Sequence, residues 1–129
     1  MIEVEKRDGS IVGFDSSKIF SAISKAFDSL HMEKDDAIIN LLVLRATADF
    51  QTKIKDNRIS VEMIQDSVEK TLSESGYYPV AKTYILYRKQ RENVRKIQST
   101  ANEYIHLVNS YLHDNISLED ENSMATYSV

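Results

Sequence analysis

The sequence predicts an α+β fold, and three observations carry the prediction. Two short alternating runs flank Asp8-Gly9 near the start. Apolar residues then recur at helical spacing in four successive blocks up to about Asn93, and no repeat or low-complexity linker separates those blocks. With 129 residues, 42% of them hydrophobic and 28% charged, the chain can bury one compact core beneath an ordinary soluble surface. One more amphipathic helix and a loop-like tail are expected beyond that unit.

The elements follow in order. Val4 and Ile11 sit in period-2 runs, with Asp8-Gly9 read as a two-residue hairpin turn that favours positive backbone dihedrals, so Lys6 and Arg7 fall on the hairpin tip. Asp15 is a good N-cap because its carboxylate can accept the free N–H groups of the next turn. Lys18 then lies in the first turn, where a cation opposes the helix dipole unless an anion is near. Ile19, Ala22, Ile23, Ala26, Phe27 and Leu30 form one apolar stripe, and His31 to Lys34 is a connector. Asp35 or Asp36 caps a second helix through Ile38, Leu41, Leu42, Leu44, Arg45, Ala48 and Phe50. Its apolar surface is broader than one stripe, and coverage by the rest of the chain is expected.

Lys55-Asp56-Asn57 reads as a turn, Arg58-Ile59 as a short third strand, and Ser60 as the cap of a helix carrying Val61, Ile64, Val68 and Leu72. Gly76 ends that helix in the left-handed conformation, and Pro79 opens the next one, which carries Val80, Ala81, Tyr84, Ile85, Tyr87 and Arg88 before the polar run Lys89 to Glu92. A new rhythm begins at Ile97 and continues through Ala101, Tyr104, Ile105, Val108, Tyr111 and Leu112. Residues after that show no stripe and read as a flexible tail. The domain boundaries expected are 1–93, a linker helix over 94–114 and a tail over 115–129.

Composition removes several function classes. There is no cysteine, which excludes disulfides, thiolate zinc sites and cysteine nucleophiles. No apolar run reaches membrane-spanning length and no targeting segment precedes the hairpin, so a cytoplasmic protein with no membrane partner is expected. All 16 Lys and Arg lie at or before Lys96, and only acidic charges follow, at Glu103, Asp114, Glu119, Asp120 and Glu121. The nearly neutral first part carries local basic clusters, which suit a small anion better than a nucleic-acid backbone. Neither a P-loop nor a dinucleotide glycine motif is present. His31, His106 and His113 lack ligand spacing and receive no role. Asp35-Asp36 and Glu119-Asp120-Glu121 are read as helix cap and solvated tail.

Taken singly, Lys6-Arg7 is an exposed hairpin end, the cations Lys82, Arg88, Lys89 and Arg91 decorate a helix, and Tyr77, Tyr78, Tyr84 and Tyr87 pack a core or its rim. Their order says more. KRDG, then FD-x-x-K-I, then S-V-E-M-I-Q-D-x-V-E, then A-K-x-Y-I-L-Y-R-x-x-R together resemble the ATP-cone, the nucleotide-sensing domain at the N-terminus of many ribonucleotide reductases, over roughly residues 2 to 93. The resemblance implies a four-helix bundle lidded by a hairpin in a small three-stranded sheet, with an adenine nucleotide between lid and helices. It implies that Lys6, Arg7 and Lys18 bind phosphates, that Val4 lies near the adenine, and that Val61 and Gln65 face the base or ribose. Some members hold two nucleotides, which brings in Lys82, Tyr87, Arg88 and Arg91. Catalytic residues and protein metal ligands are not implied; magnesium would arrive through the phosphates.

The stretch E-N-S-M-A-T-Y-S, Glu121 to Ser128, is similar to the entry into the barrel of anaerobic, class III reductases, with Met124 where that family has asparagine. The chain is therefore expected to be the N-terminal, non-catalytic part of a ribonucleoside-triphosphate reductase, with ATP activating and dATP inhibiting through oligomerisation or substrate access. Its expected partners are adenine nucleotides, the parent's catalytic domain and further copies of itself. Three rivals compete with this reading. A transcriptional regulator carries the same cone but places a cysteine zinc ribbon before it, and here the cone starts at the first residues. A protein-interaction module would leave the basic patches merely solvated, and a phosphoryl-transfer enzyme would need a nucleotide loop and a metal cage.

Overall fold

In the computed structural model, which describes residues 1–115 and their side chains through residue 112, strand β1 (Glu3–Glu5) turns back into β2 (Ile11–Gly13). The turn is not the expected two-residue Asp8-Gly9 turn. Lys6 N–H donates to the Ser10 carbonyl (2.8 Å) and Gly9 N–H to the Lys6 carbonyl (2.9 Å), enclosing a three-residue loop, Arg7-Asp8-Gly9, in which Gly9 alone has positive φ (86°). Asp8 is the reason. Its carboxylate accepts from the Ser10 backbone N–H (2.9 Å) and hydroxyl (2.6 Å), an arrangement that leaves Asp8 outside the left-handed region which a two-residue turn needs at both positions. Arg7 thereby becomes a loop residue.

Strand β3 (Arg58–Ser60) runs parallel to β1 on its other edge, giving the order β2-β1-β3. Val4 lies mid-sheet, opposite Val12 and Ile59. The expected Lys55-Asp56-Asn57 turn forms with Asp56 and Asn57 both at positive φ (53° and 60°) and reciprocal bonds between Lys55 and Arg58.

Four helices follow the sequence signals. Asp15 caps α1 (Ser16–Ser29), accepting from the Ser17 backbone N–H at 3.0 Å and its hydroxyl at 2.6 Å; Asp35 caps α2 (Asp36–Phe50), and Ser60 caps α3 (Val61–Glu74). Both α1 and α3 end with the same device. His31 (φ 54°) and Gly76 (φ 85°) each donate to the carbonyl three residues back, and the next N–H reaches a carbonyl five residues back. The connector residue His31 therefore has a structural job that no sequence motif announced.

The core is built from Val4 and Ile59 of the sheet, Ile23 and Phe27 of α1, Leu42 and Phe50 of α2, Val68 and Leu72 of α3, and Val80 and Tyr84 of α4 (Tyr78–Asn115). Edge-to-face ring pairs, Phe14 with Phe50 and Phe27 with Tyr77, close two of its sides, each at 5.6 Å between centroids. A polar seam joins α2 to α3: Lys70 pairs with Asp49 at 3.0 Å, and Lys53 donates to the fully buried Ser67 at 3.4 Å. The Ser67 hydroxyl first, then the Lys70 ammonium, hold the Asp49 carboxyl below its ordinary range, and Asp49 in turn raises Lys70.

Two further expectations need correction. The second helix is not covered all round: Ile39, Leu42, Val43, Ala46 and Phe50 are buried, whereas Ile38, Leu41 and Leu44 are exposed, Leu44 at 66%. An arc with 3.6-residue periodicity packs inward, and the surplus apolar residues fall outside it. The separate helix expected from Ile97 is the continuation of α4, which runs unbroken through Lys89 to Asn93. No glycine or proline lies between Val80 and Asn115, and the polar run is rich in strong helix formers.

The chain divides into a compact unit from Met1 to Leu86 and a second from Tyr87 onward. In the second, Ile97, Tyr104, Leu107 and Tyr111 are exposed along α4, and Arg91 lies over the Tyr87 ring at 5.9 Å. Among the described residues no helix is long and apolar enough to cross a membrane. The Glu121–Ser128 motif and the rest of the tail past Asn115 lie outside the described residues.

Candidate functional site

Side-chain alternation along β1 turns Val4 inward, and Lys6, two residues on, falls on the same side. On α1, Lys18 and Ala22 are one turn apart and share a face, as do Val61, Ile64 and Gln65 on α3. These three faces converge on a cavity of about 230 Å³ within the first unit, between the sheet and the helices. Val4, Val12, Phe14, Ile19, Val61 and Ile64 supply apolar walls, Tyr84 of α4 adds a ring, and Lys6, Asp15, Lys18 and Gln65 supply the polar groups.

The electrostatics favour an anion beside an apolar body. Asp15 is held below its ordinary carboxylate value by the Ser17 hydroxyl and backbone N–H, so at neutral pH it is an ionised helix cap whose Oδ1 accepts both bonds. Asp8 is held low in the same way by Ser10. No acidic residue lies in the first turn of α1, so Lys18 meets the unfavourable end of the dipole without a compensating helix neighbour there. The cavity lining contains no histidine, serine, threonine or cysteine.

Arg7 enters through a neighbour. Its terminal NH2 group donates to Gln65 Oε1 at 2.7 Å, and its Nε lies 3.4 Å from Glu62 Oε1, so the hairpin tip is tied to the first two turns of α3. Gln65, with its oxygen committed to Arg7, presents its amide N–H donors as the remaining polar function.

Of the residues expected from sequence, Val4, Lys6, Lys18, Val61 and Gln65 line this one cavity, and Arg7 is bonded to Gln65. Lys82 stands exposed on α4, while Tyr87, Arg88 and Arg91 belong to the second unit. Sequence reasoning did not assign Val12, Phe14, Ile64 or Tyr84 to the site, nor Glu62 as the partner of Arg7. Tyr84 falls on the apolar stripe of its helix, and its spacing alone carries no sign of the cavity. Among the described residues no group of three or more His, Cys, Asp or Glu could hold a metal ion.

The family described as "ATP cone domain" matches residues 2–93. The chain is 36% identical over 120 residues to ribonucleoside-diphosphate reductase subunit alpha of Chlamydia pneumoniae, covering 87% of this chain and 12% of that protein. It is 40% identical over 103 residues to the vitamin B12-dependent ribonucleoside-diphosphate reductase of Thermoplasma acidophilum, covering 73% and 12%. Against the anaerobic ribonucleoside-triphosphate reductase of Haemophilus influenzae it is 32% identical over 96 residues, covering 74% and 13%. The chain thus spans about an eighth of the length of these relatives.

Proposed function

The chain belongs to the ATP-cone family, and from that membership we propose that it is the allosteric domain of a ribonucleotide reductase, binding ATP as activator and dATP as inhibitor. The observation that carries this reading is one cavity with apolar walls and two lysines, Lys6 and Lys18, in its lining. An adenine nucleotide joins a flat, weakly polar base to a polyanionic chain, and needs these two environments side by side. At about 230 Å³ the cavity is smaller than the roughly 300–1,000 Å³ of pockets that bury a whole drug-sized ligand. It suits a base and sugar, with the phosphates directed to the cations.

In this reading Val4 and Val61 pack against the base, Gln65 donates to the base or ribose, and Lys6, Arg7 and Lys18 replace the phosphates' water. Lys82, Tyr87, Arg88 and Arg91 serve a second nucleotide. Magnesium accompanies the ligand through phosphate oxygens. ATP and dATP differ by one ribose hydroxyl, so opposite effects require the two ligands to favour different states of the parent protein, through its oligomeric state or substrate access.

The motif at Glu121 to Ser128 supports an anaerobic, triphosphate-reducing parent. The relatives matched through this short segment include diphosphate, B12-dependent and anaerobic reductases. Identity within a cone shared by all three reports on the cone, and the attached enzyme is better read from the motif that follows it.

Calorimetric titration of the chain with ATP, dATP and GTP tests the proposal. Binding of ATP and dATP is expected, with affinity falling about 10-fold or more in the Lys6→Ala, Arg7→Ala double variant, since each charge-assisted contact contributes on the order of 1.5–3 kcal/mol. Absence of binding, or binding indifferent to that double substitution, refutes it.

A further inference from the structure

Arg7 is the cation that the three-residue loop sends toward α3, and it arrives already engaged. Gln65 takes one terminal nitrogen at 2.7 Å, and Glu62 sits 3.4 Å from Nε. Gln65 lines the cavity, so the guanidinium is stationed one side chain away from it. Glu62 is an anion beside the place where the nucleotide reading needs cations. Its side chain is 57% exposed and lies in the first turn of α3, where an acidic residue also complements the helix dipole.

We infer that Glu62 sets the affinity of the site for the phosphate chain by holding Arg7 on α3, so that a polyphosphate must take Arg7 from Glu62 when it binds. This rests on the nucleotide reading above and adds to it a residue with a restraining role. Arginine has five N–H donors, so it can keep its bond to Gln65 while exchanging the Glu62 carboxylate for a phosphate oxygen. The exchange conserves charge pairing for Arg7 and releases Glu62 to water, which its exposure allows at low cost. Adenosine makes no claim on the guanidinium and is untouched by the latch, whereas a phosphate-bearing ligand must displace Glu62 and does so more readily the more charge it carries, so phosphate number matters. Because the pair is solvent-exposed, its effect on affinity is a few-fold rather than decisive.

The test is a double-mutant cycle read by calorimetry at low and high salt. Glu62→Gln keeps the shape and removes the charge, and is expected to tighten ATP about two- to five-fold, with adenosine unchanged and the gain shrinking as salt rises. In an Arg7→Ala background the same Glu62→Gln change should give no gain, because there is no guanidinium left to release. A gain that persists without Arg7 would mean that Glu62 merely repels the ligand through space, and overturns the latch. So does an equal gain for adenosine, or no gain for ATP while the wild-type chain binds it. If no variant binds ATP, the nucleotide reading itself fails and the latch with it. Circular dichroism of each variant checks that its overall helix content matches that of the wild type.

Discussion

Lys18 should trade stability for binding, and the two effects have opposite signs. It is the third residue of α1, in a first turn that contains no acid, so its ammonium faces the positive end of the helix dipole. Such a placement costs about 0.3–1 kcal/mol at an exposed site. Some of that is returned by the nearby Asp15 carboxylate, whose low pKa owes a small part to Lys18. Lys18→Gln, which keeps most of the aliphatic stem, should therefore raise stability by about 0.5 kcal/mol, or roughly 2–4 °C in the thermal midpoint of a domain this size. The same change removes one phosphate partner and should weaken ATP about 10- to 150-fold while leaving adenosine nearly unaffected. Differential scanning fluorimetry without ligand and calorimetry with ATP and adenosine measure both halves. A variant less stable than wild type would refute the dipole argument. One more stable but with unchanged ATP affinity would show that Lys18 does not meet the phosphates.

The remaining predictions concern the two helix stops and the polar seam. His31→Gly should stabilise the fold by about 0.5–1 kcal/mol in urea titration, because the positive φ of 54° strains any residue with a Cβ; Gly76→Ala, at φ 85°, should destabilise it by about 1 kcal/mol. Asp49 has a depressed folded pKa, so its contribution is present above the unfolded value near 3.9 and lost as pH falls through the lower folded value. Asp49→Asn should remove that part of the acid transition, flattening the loss of stability below about pH 4; an unchanged acid limb would assign it to Asp8 and Asp15, which are depressed in the same direction.

Much of this molecule is legible from spacing and caps. Asp15, Asp35, Ser60 and Gly76 act as helix punctuation where local chemistry says they should, and Ile64, Val68 and Leu72 are buried as their spacing requires. These are effects within one or two turns of chain. The failures are of another kind. Nothing local separates Leu42, which is buried, from Leu41 and Leu44, which are exposed, since the choice depends on where α1 and α3 pack. Ser67 and Thr71 are buried against expectation for polar residues, and Ser67 has found Lys53 as a partner across the seam. His31 adopts a glycine's conformation because the helix must stop before α2, a requirement invisible in an isolated connector.

The hairpin tip joins both kinds of reasoning. KRDG announces a turn with two cations, but a two-residue and a three-residue turn place Arg7 differently. Ser10 decides between them by bonding the Asp8 carboxylate. The longer loop carries Arg7 out of the strand and onto Glu62 and Gln65, more than fifty residues away in sequence. A change at Ser10 should therefore act at a distance. Ser10→Ala removes the hydroxyl bond and leaves the backbone one, so it loosens Arg7 rather than releasing it. Any effect on ATP affinity should vanish when Arg7 is already alanine, and an effect that survives there would break the proposed chain of causes from Ser10 through Asp8 to Arg7.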